Sequence, residues 1–160
     1  MPAFNLAQYN VARIKAELDD PVMHGFVSKL DYINGLSEQA PGFVWRHQTA
    51  EGNSTAVRPY PDRSILITLS VWESMEAAYS FIYRNQHAEM LRQRDKWFEH
   101  IEGFYIVLWW VPAGHIPEVE EGVERLEYLR QHGPSPYAFT FVEKYPSPDH
   151  ETTSSAAAQG

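Results

Sequence analysis

Two stretches, residues 65–72 (Ile-Leu-Ile-Thr-Leu-Ser-Val-Trp) and 104–111 (Phe-Tyr-Ile-Val-Leu-Trp-Trp-Val), are apolar at odd and even positions alike. A strand that packs one face on a core and shows the other to water alternates apolar with polar residues. These two do not. Ile67, Leu69 and Val71 fall on one side of the first strand, and Leu66 and Trp72 on the other. They specify a sheet that is covered on both faces, and the rest of the chain, or a second chain, must supply that cover.

The flanking segments read as follows. Residues 4–14 mix apolar and polar side chains in loose alternation, which reads as a strand. Asp19-Asp20-Pro21 signals a helix start, after which Val22, Phe26, Leu30, Ile33 and Leu36 recur at helical spacing to about residue 37. Ala40-Pro41-Gly42 ends that helix, residues 43–47 form a short strand, and 51–64 are a loop rich in turn residues. Ser74 caps a long helix expected to run to about residue 100. Beyond strand 104–111, Pro117 begins an acidic helix over 118–131, stopped by His132-Gly133-Pro134, and a last short strand covers 137–142.

The order β-α-β-β-α-β, followed by α-β, is that of the ferredoxin-like split βαβ: an α+β domain with an antiparallel sheet and helices on one face. Only the last helix is then free to cover the other face, so a second copy of the sheet is the expected cover, giving a sheet-to-sheet homodimer. Residues 1–146 are expected to form this single domain. The Ser-, Thr-, Ala- and Pro-containing segment 147–160 is expected to be a disordered tail.

Composition removes several functions. The 160 residues contain no cysteine, which excludes disulfides, thiolate zinc sites, iron–sulfur clusters and cysteine nucleophiles. A formal net charge of −8 argues against general binding to nucleic acid or anionic membranes. No apolar run reaches the roughly 20 residues that span a bilayer, and Met-Pro-Ala-Phe-Asn lacks a signal-peptide pattern. A cytoplasmic location is the expectation. The 5 Trp, 9 Tyr and 8 Phe are many for a chain this size, and either fill a generous core or line a pocket.

Trp72-Glu73-Ser74-x-Glu76-Ala77, then Phe81 and His87, resembles the W-x-S-x-E…F…H pattern of the dimeric α/β-barrel superfamily. That superfamily includes antibiotic-biosynthesis and heme-degrading monooxygenases and aldoxime-dehydratase-like proteins. Over roughly residues 4–142 the chain further resembles the DUF3291 family. The stretches that carry this are Leu6–Arg13 (LAQYNVAR), Ala40–Arg46 (APGFVWR), Ser70–Ser74 (SVWES) and Val107–His115 (VLWWVPAGH). The resemblance implies a dimeric α/β barrel. It also implies monooxygenase-like chemistry of secondary metabolism on a hydrophobic aromatic or polyketide-like substrate, or a cyclase or isomerase on the same scaffold. A heme- or ligand-binding dimer without turnover is a third reading. Heme degraders pair an Asn on the first strand with a Trp and a His on the second helix. Asn10 matches the first; aligned through Trp72, the Trp falls on Phe81 and the ligand His on Leu91, one turn from His87.

The residues themselves leave several readings open. On the long helix, Arg84, His87, Leu91, Arg94 and Phe98 share a stripe beside the face centred on Phe81. Flanking guanidinium groups favour a neutral imidazole, the form of a general base, so His87 is the acid/base candidate, with Arg94 and Asn10 steadying negative charge. Equally, the arginines are surface charges and His87 a satisfied boundary residue. Arg46, among apolar strands, needs a ligand anion or a carboxylate, unless its strand is an edge that leaves it in solvent. Trp45, Trp72, Trp109 and Trp110, with Phe81, Arg84 and Leu91, either bind a flat hydrophobic substrate or fill the core and a dimer interface. Trp109 and Trp110 are adjacent on a strand and face opposite sides. No histidine pair has metal-ligand spacing, and no cofactor is required by the residues, heme being the one the resemblance leaves open.

Overall fold

The computed structural model describes residues 3–84 and 87–148. At its centre β1 (Phe4–Ile14) is hydrogen-bonded along both edges. One edge takes β3 (Ile65–Trp72), in register from Leu6↔Trp72 to Arg13↔Ile65, and β2 (Phe43–Arg46) lies outside β3. The other edge takes β5 (Ile106–Pro112) from Phe4↔Pro112 to Asn10↔Ile106, and the two-residue β4 (Phe98–Glu99) at Ile14 and Arg13. Every pairing is antiparallel. The chain is thus a mixed α+β fold built on an antiparallel sheet, as its pattern implies.

Register sorts the side chains onto two faces. Leu6, Gln8 and Asn10 share one with Thr68, Ser70, Trp72 and Leu108; Ala7, Tyr9 and Val11 share the other with Leu69, Val71 and Trp109. The first face is covered by α1 (His24–Gln39) and α2 (Met75–Arg84): Trp72, Ala78, Phe81 and Leu108 form a buried cluster, with Ile33 and Leu36 packed against it. Beyond α2, α3 (His87–Arg92) continues the same layer. The second face is covered by α4 (Val119–His132), whose Leu126 and Leu129 are buried with Tyr9, Leu69 and Trp109. Helices therefore lie on both faces, which corrects the one-face expectation. The two-sided strands find their cover within one chain, so the reason for expecting a second copy of the sheet falls away.

Local signals explain the helix starts. Asp20 accepts from the Val22 amide at 2.9 Å across a 3₁₀ turn at Pro21–Met23, Ser74 accepts from the Ala77 amide at 3.1 Å, and Glu118 and Glu121 close a capping box on α4. The long helix does not reach residue 100. Helix ends at Arg92, a 3₁₀ turn spans Arg94–Lys96, and the chain turns extended at Phe98. Trp97 drives this departure: its indole is buried with Ile14, Met23 and Leu66, and its carbonyl accepts from the Lys15 amide at 2.8 Å. Burying a tryptophan and pairing the end of β1 outweigh a preference of a few tenths of a kcal/mol per residue for helix. Nor is 137–142 a strand. Phe139 makes a single bridge to Leu108, and a turn between Thr140 and Glu143 then leads the chain off the sheet. Residues 149–160 of the expected tail lie outside the described residues. Among the described residues no helix is long and apolar enough to cross a membrane.

Candidate functional site

Between the sheet and the layer of α1, α2 and α3 lies a chamber of about 320 Å³. Its floor exists because β1 and β3 interrupt their apolar pattern at matched places. Gln8 and Asn10 sit two residues apart on the chamber face, opposite Ser70 and Thr68. Gln8 Nε2 donates to Ser70 Oγ at 3.0 Å, Trp72 Nε1 donates to the same oxygen at 2.9 Å, and Thr68 Oγ1 donates to Asn10 Oδ1. Arg46, registered with Ser70, extends this row onto β2. Phe26, Ile33, Phe81, Leu91 and Trp97 provide apolar walls.

Arg46 lies on an edge strand, yet its side chain is only 12% exposed. Nη1 donates to the Gly52 carbonyl at 2.9 Å and Nη2 to Glu38 Oε1 at 3.1 Å. Its buried Nε has no hydrogen-bond partner among the described residues.

His47, the residue after β2, lies on the lining both of the chamber and of a groove on the other side, with its ring 6.3 Å from that of Trp45. Its Nδ1 lies 2.7 Å from Ser54 Oγ, and that oxygen lies 2.9 Å from the His47 carbonyl. A carbonyl only accepts, so the single hydroxyl proton of Ser54 goes to it. Nδ1 must then be the donor to Ser54 Oγ. This fixes the tautomer and leaves the Nε2 lone pair as the basic site. Burial lowers the pKa of His47, which keeps the ring neutral at neutral pH. Across the chamber, the Arg94 guanidinium lies over the Tyr105 ring at 4.9 Å from its centroid. Burial, reinforced by Tyr105 and Tyr79, raises the Tyr83 hydroxyl, and Arg94 partly offsets this.

Of the residues singled out in the sequence, Asn10, Arg46, Trp72, Phe81, Leu91 and Arg94 come together around the chamber. Trp72 and Phe81 stack there, centroids 5.2 Å apart. The others do not join them. Trp45 faces the opposite side, in a groove with Val57, Pro59 and Pro117. Trp109 is wholly buried on the α4 side, and Trp110 packs beside Phe139 with Nε1 on the Tyr145 carbonyl at 2.9 Å. Arg84 lies over Tyr79, 5.2 Å from the ring centroid, outside the chamber lining. His87 begins α3, but its side chain lies outside the described residues. The single stripe from Arg84 to Phe98 is broken because Arg94 sits on a 3₁₀ turn and Phe98 on a strand.

Gln8, Thr68, Ser70 and His47 escaped the sequence reading. For Gln8, Thr68 and Ser70 the signal was present, as polar residues at i, i+2 (with Asn10) within largely apolar strands; His47, beyond the end of β2, had no such signal. Leu91, where the resemblance would put a heme ligand, is an apolar wall. With a volume at the low end of the roughly 300–1,000 Å³ typical of small-molecule sites, the chamber suits a compound of a few rings. No cluster of three or more His, Asp or Glu side chains able to hold a metal ion occurs among the described residues.

The family described as "Domain of unknown function (DUF3291)" matches residues 5–156. No curated protein matches the chain. A solved structure similar to it is the crystal structure of the NE2512 protein of unknown function from Nitrosomonas europaea. The two share 9% identity at a TM-score of 0.45, over 72% of this chain and 97% of that one.

Proposed function

The chain belongs to the DUF3291 family, and from that membership and its chamber we propose that it is a small-molecule enzyme working by proton transfer on a hydrophobic ring compound. The observation that carries this reading is the chamber itself: apolar walls around a floor of hydrogen-bonding side chains, with a neutral imidazole of fixed tautomer on its lining. His47 Nε2 is the proton acceptor in this reading. The floor residues Asn10 and Ser70 face the oxygen on which charge develops. Arg94 and the aromatic walls hold the rings. Monooxygenase-like chemistry is what the superfamily resemblance implies for such a site, with cyclisation or isomerisation using the same proton transfer.

This reading keeps the site within one chain. Its lining comes from all five strands and the helices above them, whereas a barrel-forming partner would meet the face that α4 covers. The strand order β2-β3-β1-β5 is that of a ferredoxin-like split βαβ, which supports the superfamily placement without requiring the dimer.

The test uses 2-acetonaphthone in D₂O. Removal and return of an acetyl proton exchanges it for deuterium, which mass spectrometry counts. The wild-type protein should accelerate this exchange above buffer, and His47→Ala should not. Exchange at the buffer rate with wild-type protein, or full acceleration by His47→Ala, would overturn the reading.

A further inference from the structure

The chamber floor leaves two donors unspent. Ser70 Oγ accepts from both Gln8 Nε2 and Trp72 Nε1, so its two lone pairs are occupied and its hydroxyl proton is left to give. Asn10 accepts on Oδ1 from Thr68, which leaves the Nδ2 protons without a partner among the described residues. Arg46, Ser70 and Gln8 form one row across β2, β3 and β1, and Asn10 lies two residues from Gln8 on the same face. Ser70 and Asn10 are therefore diagonal neighbours, about 7–8 Å apart along the sheet, and their side chains can meet one polar group of a ligand. Arg46 Nε is sealed beneath the surface, so Arg46 stands beside the pair as charge and not as a donor.

Charge points the same way. Arg46 and Arg94 line the chamber, and among the described residues no aspartate or glutamate does, although the chain carries a formal −8. Glu38 reaches Arg46 from the rim, with its own side chain half exposed, and occupies Nη2 alone. Ser70 and Asn10 are partly buried, and donors turned toward a largely apolar chamber gain from an acceptor that fills them. Here that acceptor is one of negative charge.

We infer that the chamber takes an apolar ring compound bearing a carboxylate, which Ser70 Oγ and Asn10 Nδ2 receive beside the Arg46 guanidinium. This rests on the proposed small-molecule site and adds its ligand class. Two carboxylate oxygens accept up to four hydrogen bonds, enough for both donors. Because a donor facing a charged acceptor makes the stronger kind of hydrogen bond, the preference is for the anion over a ketone of the same shape.

The experiment measures the affinity of the full chain for 2-naphthoate, 2-acetonaphthone and 2-ethylnaphthalene by calorimetry. These probes share a shape and differ in the oxygen group. The expected result is 2-naphthoate bound at least tenfold more tightly than either neutral probe. That ratio should shrink at least threefold in Ser70→Ala and, independently, in Asn10→Ala, whose Thr68 partner keeps a hydroxyl that turns elsewhere. Equal affinity for the three probes overturns the carboxylate assignment and leaves the small-molecule site standing. A preference unchanged in both variants also overturns it, by placing the anion away from Ser70 and Asn10. If no probe binds, the chamber is not a binding site and both readings fall together.

Discussion

Gly122 in α4 lies against the ring of Tyr9 in β1, so close that a Cβ at position 122 would come 2.3 Å from Tyr9 Cδ2. Tyr9 has nowhere to withdraw: it is fully buried, and its hydroxyl is 2.7 Å from that of Tyr60. The glycine serves close approach of helix to sheet, since α4 runs unbroken through it and its φ is not positive.

Gly122→Ala therefore pits two effects against each other. Alanine gains about 1 kcal/mol in helix propensity, while overpacking a full core costs about 1–3 kcal/mol. A contact this short belongs at the upper end, so urea unfolding should show a net loss of about 1–2 kcal/mol. Affinity at the chamber, on the opposite face, should not change. A variant as stable as the parent would contradict the packing of α4 on Tyr9.

Trp97→Ala should be more damaging, at about 3–5 kcal/mol, because it empties a site buried among Ile14, Met23 and Leu66. It also removes the wall against which Gly25 of α1 packs, where an added Cβ would meet the indole at 3.1 Å. Thermal unfolding followed by circular dichroism reads this directly. A loss below about 1 kcal/mol, the level of an ordinary substitution, would mean that the indole does not anchor residues 97–99 to the sheet.

Stability should fall as pH drops, and His47 should contribute to that fall. Its folded-state pKa lies below the unfolded value of about 6.5. Between the two values the unfolded chain binds a proton that the folded chain does not. The contribution is therefore present above pH ~6.5 and is lost as pH falls through that value toward the folded pKa. His47→Asn keeps a donor for Ser54 and cannot titrate. Denaturant midpoints at pH 7.5 and 5.0 should differ less for this variant than for the wild type. An identical pH dependence would show that His47 is not desolvated.

Leu91→Trp should fill the chamber from the α3 wall without disturbing the sheet, since Leu91 is only partly buried. The expected outcome is a tenfold or greater loss of 2-naphthoate affinity, measured by calorimetry, with the unfolding midpoint little changed. Undiminished binding would put the ligand outside the chamber.

Strand limits were the most legible part of this protein. Residues 4–14 and 65–72 match the observed β1 and β3 to the residue, because the loose alternation of the first and the two-sided apolar run of the second leave few alternatives to strand. Legibility failed where the decisive contact was distant in sequence. Residues 93–99 look helical locally, and only the meeting of Trp97 with Ile14 and Leu66 makes them leave the helix. The cover of the second face failed for a related reason. Helix 118–131 reads as an acidic, solvated helix, yet Gly122, Leu126 and Leu129 make one narrow apolar seam that suffices to seal the sheet. At the site, tryptophans drew attention because they are large, and two of the four proved to be packing residues. The polar floor was quieter in the sequence: Gln8, Thr68 and Ser70 are each unremarkable alone, and only strand register makes them neighbours.

The position of β1 sets an order of events during synthesis. It is made before either of the strands that pair it, since its edges are supplied by residues 65–72 on one side and 106–112 on the other. On a ribosome, β1 waits with two open edges until Trp72 has emerged and with one until Pro112 has. Contacts this distant in sequence slow folding, and unpaired strand edges invite association with other chains. Gln8, Asn10 and Arg13 within β1 are then more than site and surface residues: during that interval they are the polar interruptions that keep a waiting apolar strand from joining the wrong partner.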